Sequence, residues 1–289
     1  MPYTEHELRE VMSDTVLRDK MFLFLQNIFR LCPEDAFHEL LDRCARECAN
    51  DEAVYRRLEK ELPSIQPFLG VVTYGLPALR KQKKVITQQT LRLLDGWRNG
   101  HATINGYVEI GSIGRYISVL RRHEKVEGDV VVVNDAPPTN ALGDIFERGQ
   151  IAALGRFVPI NDYGEISPQA VPDQSVDVVT CYIGLHHAAD RLEPFALSIA
   201  RMLRPGGAFI LRDHDAGTPE MFKFCSAIHT VYNVGTGVPW ERNVEEIRRF
   251  QGIDGWSQLL TGLGFVDAGE RLLQDHDPSD NTLLRFTRS

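Results

Sequence analysis

Residues 107–116 read Tyr107-Val108-Glu109-Ile110-Gly111-Ser112-Ile113-Gly114-Arg115-Tyr116, and the reading of the fold starts from them. A short apolar run enters a glycine turn, and a helical pattern follows. Glycines in such a turn let the backbone approach a ligand closely, and the start of the following helix offers backbone N–H groups. Taken alone, the same residues also suit a plain tight strand-to-helix connection.

Outward from this turn, short apolar runs alternate with helical segments. Tyr107 to Ile110 is followed by the valine run Asp129 to Val133, by Phe157 to Ile160, by Val176 to Cys181, and by Ala208 to Leu211, which is entered through Pro205-Gly206-Gly207. A near-continuous valine run suits a strand buried on both faces. Strands alternating with helices predict a doubly wound α/β domain with a parallel sheet covered on both sides. Trp256 to Leu263 reads as a helix ended by Gly264, and Phe265 to Leu273 and Thr282 to Thr287 read as two closing strands.

Upstream the pattern is helical. Phe37, Leu40, Leu41, Cys44 and Cys48 fall on one helix face, with Pro33-Glu34-Asp35 as its start. Further helices are predicted over Thr15 to Leu31, over Asp51 to Leu62 with a stop before Pro63, and over Ala78 to Leu94. The expected division is a helical N-terminal region over 1–100 and an α/β domain over 101–289. Segment 216–255, rich in aromatics, is expected as a lid insertion over the substrate. The basic cluster Arg80-Lys81-Gln82-Lys83-Lys84 reads as a solvated helix face.

Composition narrows the class. The 289 residues include 32 basic and 40 acidic side chains, a formal net charge of -8, so no cationic nucleic-acid footprint is expected. With 43% hydrophobic and 25% charged residues, the chain has the make-up of a globular protein. No apolar stretch approaches the roughly 18 residues of a membrane span, and the polar, acidic N-terminus does not fit a secretory signal. Cys32, Cys44, Cys48, Cys181 and Cys225 form no Cys-x-x-Cys pair. The expectation is a soluble, cytoplasmic protein with neither a disulfide framework nor a zinc knuckle.

Several residues at the predicted strand ends carry chemistry. Asp135 follows the valine strand, where an acid accepts hydrogen bonds from ribose hydroxyls in nucleoside-binding doubly wound folds; a turn acid before Pro137-Pro138 is the equal alternative. Asn161-Asp162-Tyr163 follows the third run and suits recognition of an adenine amino group, or an ordinary turn closed by Gly164. His186 and His187 follow the fourth run. His214 lies between Asp213 and Asp215, which are expected to orient its ring or raise its pKa.

In order and spacing, these segments resemble class I S-adenosylmethionine-dependent methyltransferases of the broad small-molecule, type 11-like kind. The resemblance rests on Glu109-Ile-Gly111, Asp135, Asp162, the run Asp177 to His187, Leu203-Arg-Pro205-Gly206-Gly207, and Leu263-Gly264-Phe265 before the two closing strands. It covers about residues 105–289. The usual family turn has three glycines at alternate positions; here Gly111-Ser112-Ile113-Gly114-Arg115 reads one residue shorter. The resemblance implies a seven-stranded, mostly parallel Rossmann-like methyltransferase sheet with its last strand antiparallel, and S-adenosyl-L-methionine as cofactor. It implies that Glu109 orients the methionine amino group, with Gly111, Ser112 and Gly114 beside it. Asp135 then binds the ribose diol, Asp162 and Tyr163 face the adenine, and Cys181, Tyr182 and Ile183 line the cofactor beyond strand four.

For methyl transfer, proximity and in-line orientation supply most of the acceleration. A base with pKa near the operating pH assists an oxygen or nitrogen acceptor, and His214, His187 and His186 are the candidates. Tyr232, Asn233 and Trp240 in the lid segment are expected to contact the substrate, a small organic metabolite. No resident metal, nucleic acid or membrane partner is expected. The N-terminal helices suit a substrate wall or the surface of a homodimer. The competing readings are a non-catalytic methyltransferase-like binding or scaffold protein, and a nicotinamide-dependent oxidoreductase.

Overall fold

The structure, a computed structural model, describes residues 7–33, 35–67, 70–97, 102–182 and 184–289. The chain divides into two compact units. One holds the chain as far as Gln82, together with His214–Gly252 and Asp275–Asn281; the other holds Lys83–Asp213, Ile253–Gln274 and Thr282–Ser289.

The second unit is built on seven strands: β1 (Ile104–Ile110), β2 (Val126–Asn134), β3 (Arg156–Pro159), β4 (Val176–Cys181), β5 (Leu203–His214), β6 (Phe265–Leu273) and β7 (Asn281–Arg288). They lie in the order β3-β2-β1-β4-β5-β7-β6. The pairs β1–β2, β1–β4, β2–β3 and β4–β5 are parallel, and β6–β7 is antiparallel. The expected doubly wound, mostly parallel sheet is therefore present. Its strand order reverses between β1 and β4, the place in an open α/β sheet where the loops diverge and ligands bind.

Alternation along the strands sorts their side chains to the two faces. Val108, Ile110, Val131, Val133, Val179, Cys181 and Phe209 face one layer, with Phe195, Ile199 and Met202 of the helix Leu192–Met202 and Trp256 and Leu260 of the helix Ile253–Gly262. Tyr107, Val130, Val178, Tyr182 and Ile210 face the other, with Ile86, Leu93 and Leu94. Those three lie on the long helix Leu76–Asp95. Its buried stripe, Lys83, Ile86, Thr87, Thr90, Leu93 and Leu94, follows helical spacing.

In chain order the helices are α1 (Glu7–Ser13), α2 (Thr15–Asn27), α3 (Ala36–Glu47), α4 (Asp51–Ile65), α5 (Leu76–Asp95), α6 (Ile117–Leu120), α7 (Leu142–Arg148), α8 (Leu192–Met202), α9 (Pro219–Gly235), α10 (Trp240–Glu245) and α11 (Ile253–Gly262). In the helical unit, Leu8, Val11, Met21, Leu40, Leu41, Tyr55 and Leu58 share one core with Phe224, Ile228 and Val231 of α9. Most of segment 216–255 thus belongs to the unit of the N-terminal helices, because the apolar face of α9 is buried among α1, α2 and α4. The boundary expected at residue 100 falls instead at Gln82, within α5, because the rest of α5 packs on the sheet.

Local differences have local causes. α4 passes through Pro63 to Ile65, since a proline in the last turn forfeits only one helical hydrogen bond. α1 carries little sequence signal. Its first amides are capped from a distance: the Asp51 carboxylate accepts from Leu8 N at 2.7 Å and Arg9 N at 3.0 Å. Among the described residues, no helix is long and apolar enough to cross a membrane.

Candidate active site

The glycine turn leaves β1 with Gly111 at φ 80° and Gly114 at φ 92°, a left-handed backbone that favours glycine. Gly111 N donates to Val133 O at 2.7 Å, fastening the turn to β2. The Ser112 hydroxyl accepts from Gly114 N at 3.3 Å and Arg115 N at 3.1 Å, and donates to Glu109. The Glu109 carboxylate accepts from Tyr116 N at 3.1 Å and Ile117 N at 2.7 Å, and Tyr107 O–H lies 3.4 Å away. The four amides from Gly114 to Ile117 thus have acceptors within the chain. Burial pushes the Glu109 pKa up, opposed by the donors from Ser112, Tyr116 and Ile117. Glu109, expected to orient a methionine amino group, turns its carboxylate onto the turn's own amides.

The other expected residues lie on the same carboxyl edge of the parallel strands. Asp135 follows β2 directly and is exposed. Asn161, Asp162 and Tyr163 follow β3 at φ 47°, 57° and 58°, an uncommon run of left-handed non-glycine residues. Arg191 Nη1 lies 3.3 Å from the Asp162 carboxylate and 3.2 Å from the carbonyl oxygens of Asn161 and Asp162. The Tyr163 ring stacks on His187 at 6.1 Å and meets Phe195 edge-on at 5.4 Å. Beyond β4, Cys181 is buried in the core on one face, beside Leu185 and Phe195. Tyr182 points to the other face, where its hydroxyl lies 2.7 Å from Thr90 Oγ1 and its ring 4.4 Å from that of Tyr116. Ile183 lies outside the described residues.

His186 Nδ1 and Asp213 Oδ1 are 2.8 Å apart, both side chains buried, and Asp213 Oδ2 accepts from Leu185 N at 2.7 Å. The His187 ring lies 4.2 Å from that of His186. Asp213, expected to orient His214 or raise its pKa, places its carboxylate on His186. His214 belongs to the helical unit, where its Nδ1 lies 3.1 Å from Ser279 O and its Nε2 3.3 Å from His229 Nε2. Tyr232, Asn233 and Trp240 belong there too. Tyr232 packs on Phe29 at 4.8 Å and Trp240 on Tyr55 at 5.2 Å, while Asn233 Nδ2 donates to Asn243 Oδ1 at 3.0 Å and Glu246 Oε2 at 2.9 Å.

The basic cluster is also corrected in part. Arg80, Lys81 and Lys84 are exposed, whereas Lys83 is buried. Its ammonium lies 3.0 Å and 3.1 Å from the carbonyl oxygens of Glu147 and Arg148 at the end of α7, and 3.3 Å from Ser118 Oγ. Burial brings its pKa down to about 8. Sequence reasoning missed the pairing of Asp213 with His186 and the parts played by Tyr107, Thr180 and Thr90. The i, i+2 spacing of Tyr107 with Glu109 and of Thr180 with Tyr182 was the available signal.

Residues 110–211 match a family model described as a methyltransferase domain. Among solved structures, the CurJ carbon methyltransferase is similar to this chain with a TM-score of 0.53 and 15% identity, over 94% of this chain and 70% of that one. That likeness establishes the fold. The N-methyltransferase NodS from Bradyrhizobium japonicum WM9, in complex with S-adenosyl-L-homocysteine, is 19% identical over 81% of this chain and 97% of that one, with a TM-score of 0.46. The 1,6-didemethyltoxoflavin-N1-methyltransferase of Burkholderia thailandensis is 14% identical over 73% and 90%, with a TM-score of 0.41. No curated protein sequence matches the chain.

Proposed function

We propose that this chain, whose residues 110–211 match a methyltransferase-domain family model, transfers a methyl group from S-adenosylmethionine to a small organic metabolite, with His186 as the base and Asp213 as its orienting acid. The glycine turn carries the choice of cofactor. A dinucleotide places its pyrophosphate on unpaired amides at the turn. Here the amides from Gly114 to Ile117 are taken by Ser112 and by the Glu109 carboxylate. A buried carboxylate at this position repels phosphate and suits a cationic ligand. The exposed Asp135 after β2 fits a ribose diol, and the left-handed turn 161–163 supplies a polar edge for an adenine.

When bound, S-adenosylmethionine supplies an electrophilic methyl group on a sulfonium. The chain's task is to align the acceptor and remove its proton. With Asp213 ionised, His186 Nδ1 carries the proton that bridges them at 2.8 Å, and Nε2 is the basic nitrogen. A proton from the acceptor goes to Nε2, and Asp213 stabilises the imidazolium that results. His186 takes precedence over His187 and His214 because a buried carboxylate orients it. A cytoplasmic location is part of the proposal; the thiols of Cys32 and Cys44, pushed up to about 11 by burial, are in their unreactive form at neutral pH.

Calorimetric titration of the full chain with S-adenosylmethionine, S-adenosylhomocysteine and NAD tests the reading. Micromolar binding of the first two and none of NAD is expected, with Asp135→Ala weakening both by about tenfold or more, as for a hydrogen bond to a charged group. Binding of NAD in place of the sulfonium cofactor would overturn it.

A further inference from the structure

A line of buried hydroxyls lies beneath the glycine turn of the sheet unit. Strand alternation puts Tyr107 and Glu109 of β1 on the same face as Thr180 and Tyr182 of β4, and the register sets Glu109 beside Thr180. α5 covers that face. The Thr90 hydroxyl donates to Ile86 O at 2.8 Å. Its single proton is thereby used, so in its 2.7 Å contact with Tyr182 the phenol is the donor. The Thr180 hydroxyl lies 2.8 Å from that of Tyr107, 3.4 Å from Val108 O, and within reach of the Tyr182 phenol. The Tyr107 phenol also lies 3.4 Å from Glu109 Oε2, and its one proton serves either Thr180 or that carboxylate at a time. Every member is buried, and burial holds both phenols protonated, far above their ordinary range.

We infer that Thr90, Thr180 and Tyr107 are positioning residues for the glycine turn, acting through Tyr182 and Glu109 to hold the amides of Tyr116 and Ile117 in place. Two routes lead from Thr90 to the turn. One is the hydroxyl line ending on the carboxylate that accepts those amides. The other is the Tyr182 ring, fixed by its hydroxyl and packed 4.4 Å from the Tyr116 ring. The arrangement also explains why four polar side chains occupy a face that apolar residues would fill. A buried polar line is stabilising only when every member is satisfied, and a satisfied one specifies a single geometry. Here its end point is the turn, which is short of one glycine and held by side chains. The inference rests on the proposed role of that turn in binding S-adenosylmethionine.

The test uses the full chain carrying Thr90→Val, which keeps shape and removes the hydroxyl, Thr90→Ser, which keeps the hydroxyl, Tyr182→Phe, and the Thr90→Val/Tyr182→Phe pair. Hydrogen exchange at the Tyr116 and Ile117 amides is read together with S-adenosylhomocysteine affinity. Thr90→Val and Tyr182→Phe should each speed exchange at these amides and weaken binding by about tenfold, the scale of one buried hydrogen bond. The pair should be no worse than either single change, and Thr90→Ser should restore both readouts. A lowered thermal midpoint in Thr90→Val with exchange and affinity unchanged would reduce the line to ordinary packing and overturn the inference. If the wild-type chain binds no S-adenosylhomocysteine, the cofactor reading falls separately. Exchange then decides the positioning role by itself: faster exchange supports it and unchanged exchange overturns it.

Discussion

Replacing Gly184 by alanine adds one methyl group to the His186–Asp213 pair, and the structure sets the size of the effect. Gly184 sits at φ 89° and ψ 149°, a backbone region that is essentially glycine's alone and costs other residues about 1–3 kcal/mol. A Cβ built there lies 2.4 Å from Nδ1 and Cε1 of His186 and 3.0 Å from Asp213 Oδ2. Carbon contacts settle at about 3.5–4.0 Å, so the imidazole must withdraw by about 1 Å or more. That breaks a buried hydrogen bond to a carboxylate, worth about 1.5–3 kcal/mol. Together the two effects come to about 2.5–6 kcal/mol, a large share of the 5–15 kcal/mol typical of a native domain. Urea unfolding measures the loss, and product formation from S-adenosylmethionine should fall by about 100-fold or more, the scale of general-base catalysis. Gly206→Ala is the matched control. Its φ of 75° imposes backbone strain, while nothing lies within 4 Å of its Cβ, so it should lose only about 1–2 kcal/mol. Equal losses in the two variants, with turnover retained in Gly184→Ala, would refute the claim that Gly184 makes room for an aligned base.

Two further outcomes concern stability. The Lys83 ammonium titrates at about 8 in the fold against an ordinary 10.5, so between these values the unfolded chain binds more protons and stability rises with pH. The rise should amount to about 3 kcal/mol at ~1.4 kcal/mol per pKa unit, and Lys83→Met should abolish it. Urea midpoints of the two proteins from pH 7 to pH 10.5 check this, because the Cys32 and Cys44 thiols, which titrate in both, cancel in the difference. Removing the distant cap of α1 by Asp51→Ala leaves Leu8 N and Arg9 N without their acceptor. It should cost about 1–3 kcal/mol in chemical denaturation; an unchanged midpoint would show that α1 needs no cap from α4.

The strands were legible because their signal is local. The valine run of β2 and the short apolar run of β1 state burial directly, and Gly111 and Gly114 mark the left-handed turn that both adopt. Burial by itself says little about partners. Asp213 stands beside His214 in the chain, yet its carboxylate meets His186 from the neighbouring strand end. Lys83 reads as one charge among several, but the turn of α5 sets it on the stripe with Ile86 and Thr90.

The sequence by itself determined the class of the sheet, the run of elements after residue 104, and the glycine turn with an acid after each of the next two strands. These depend on period, turn chemistry and spacing, which are properties of neighbouring residues. Only the tertiary structure decided that Glu109 closes the turn rather than facing outward, that Asp213 serves His186, and that α5 lies over Tyr107 and Tyr182. Each of these depends on which strands and helices are brought side by side, and that follows from the crossover order β3-β2-β1-β4-β5 and the packing of α5 on the sheet, not from any stretch of chain read alone.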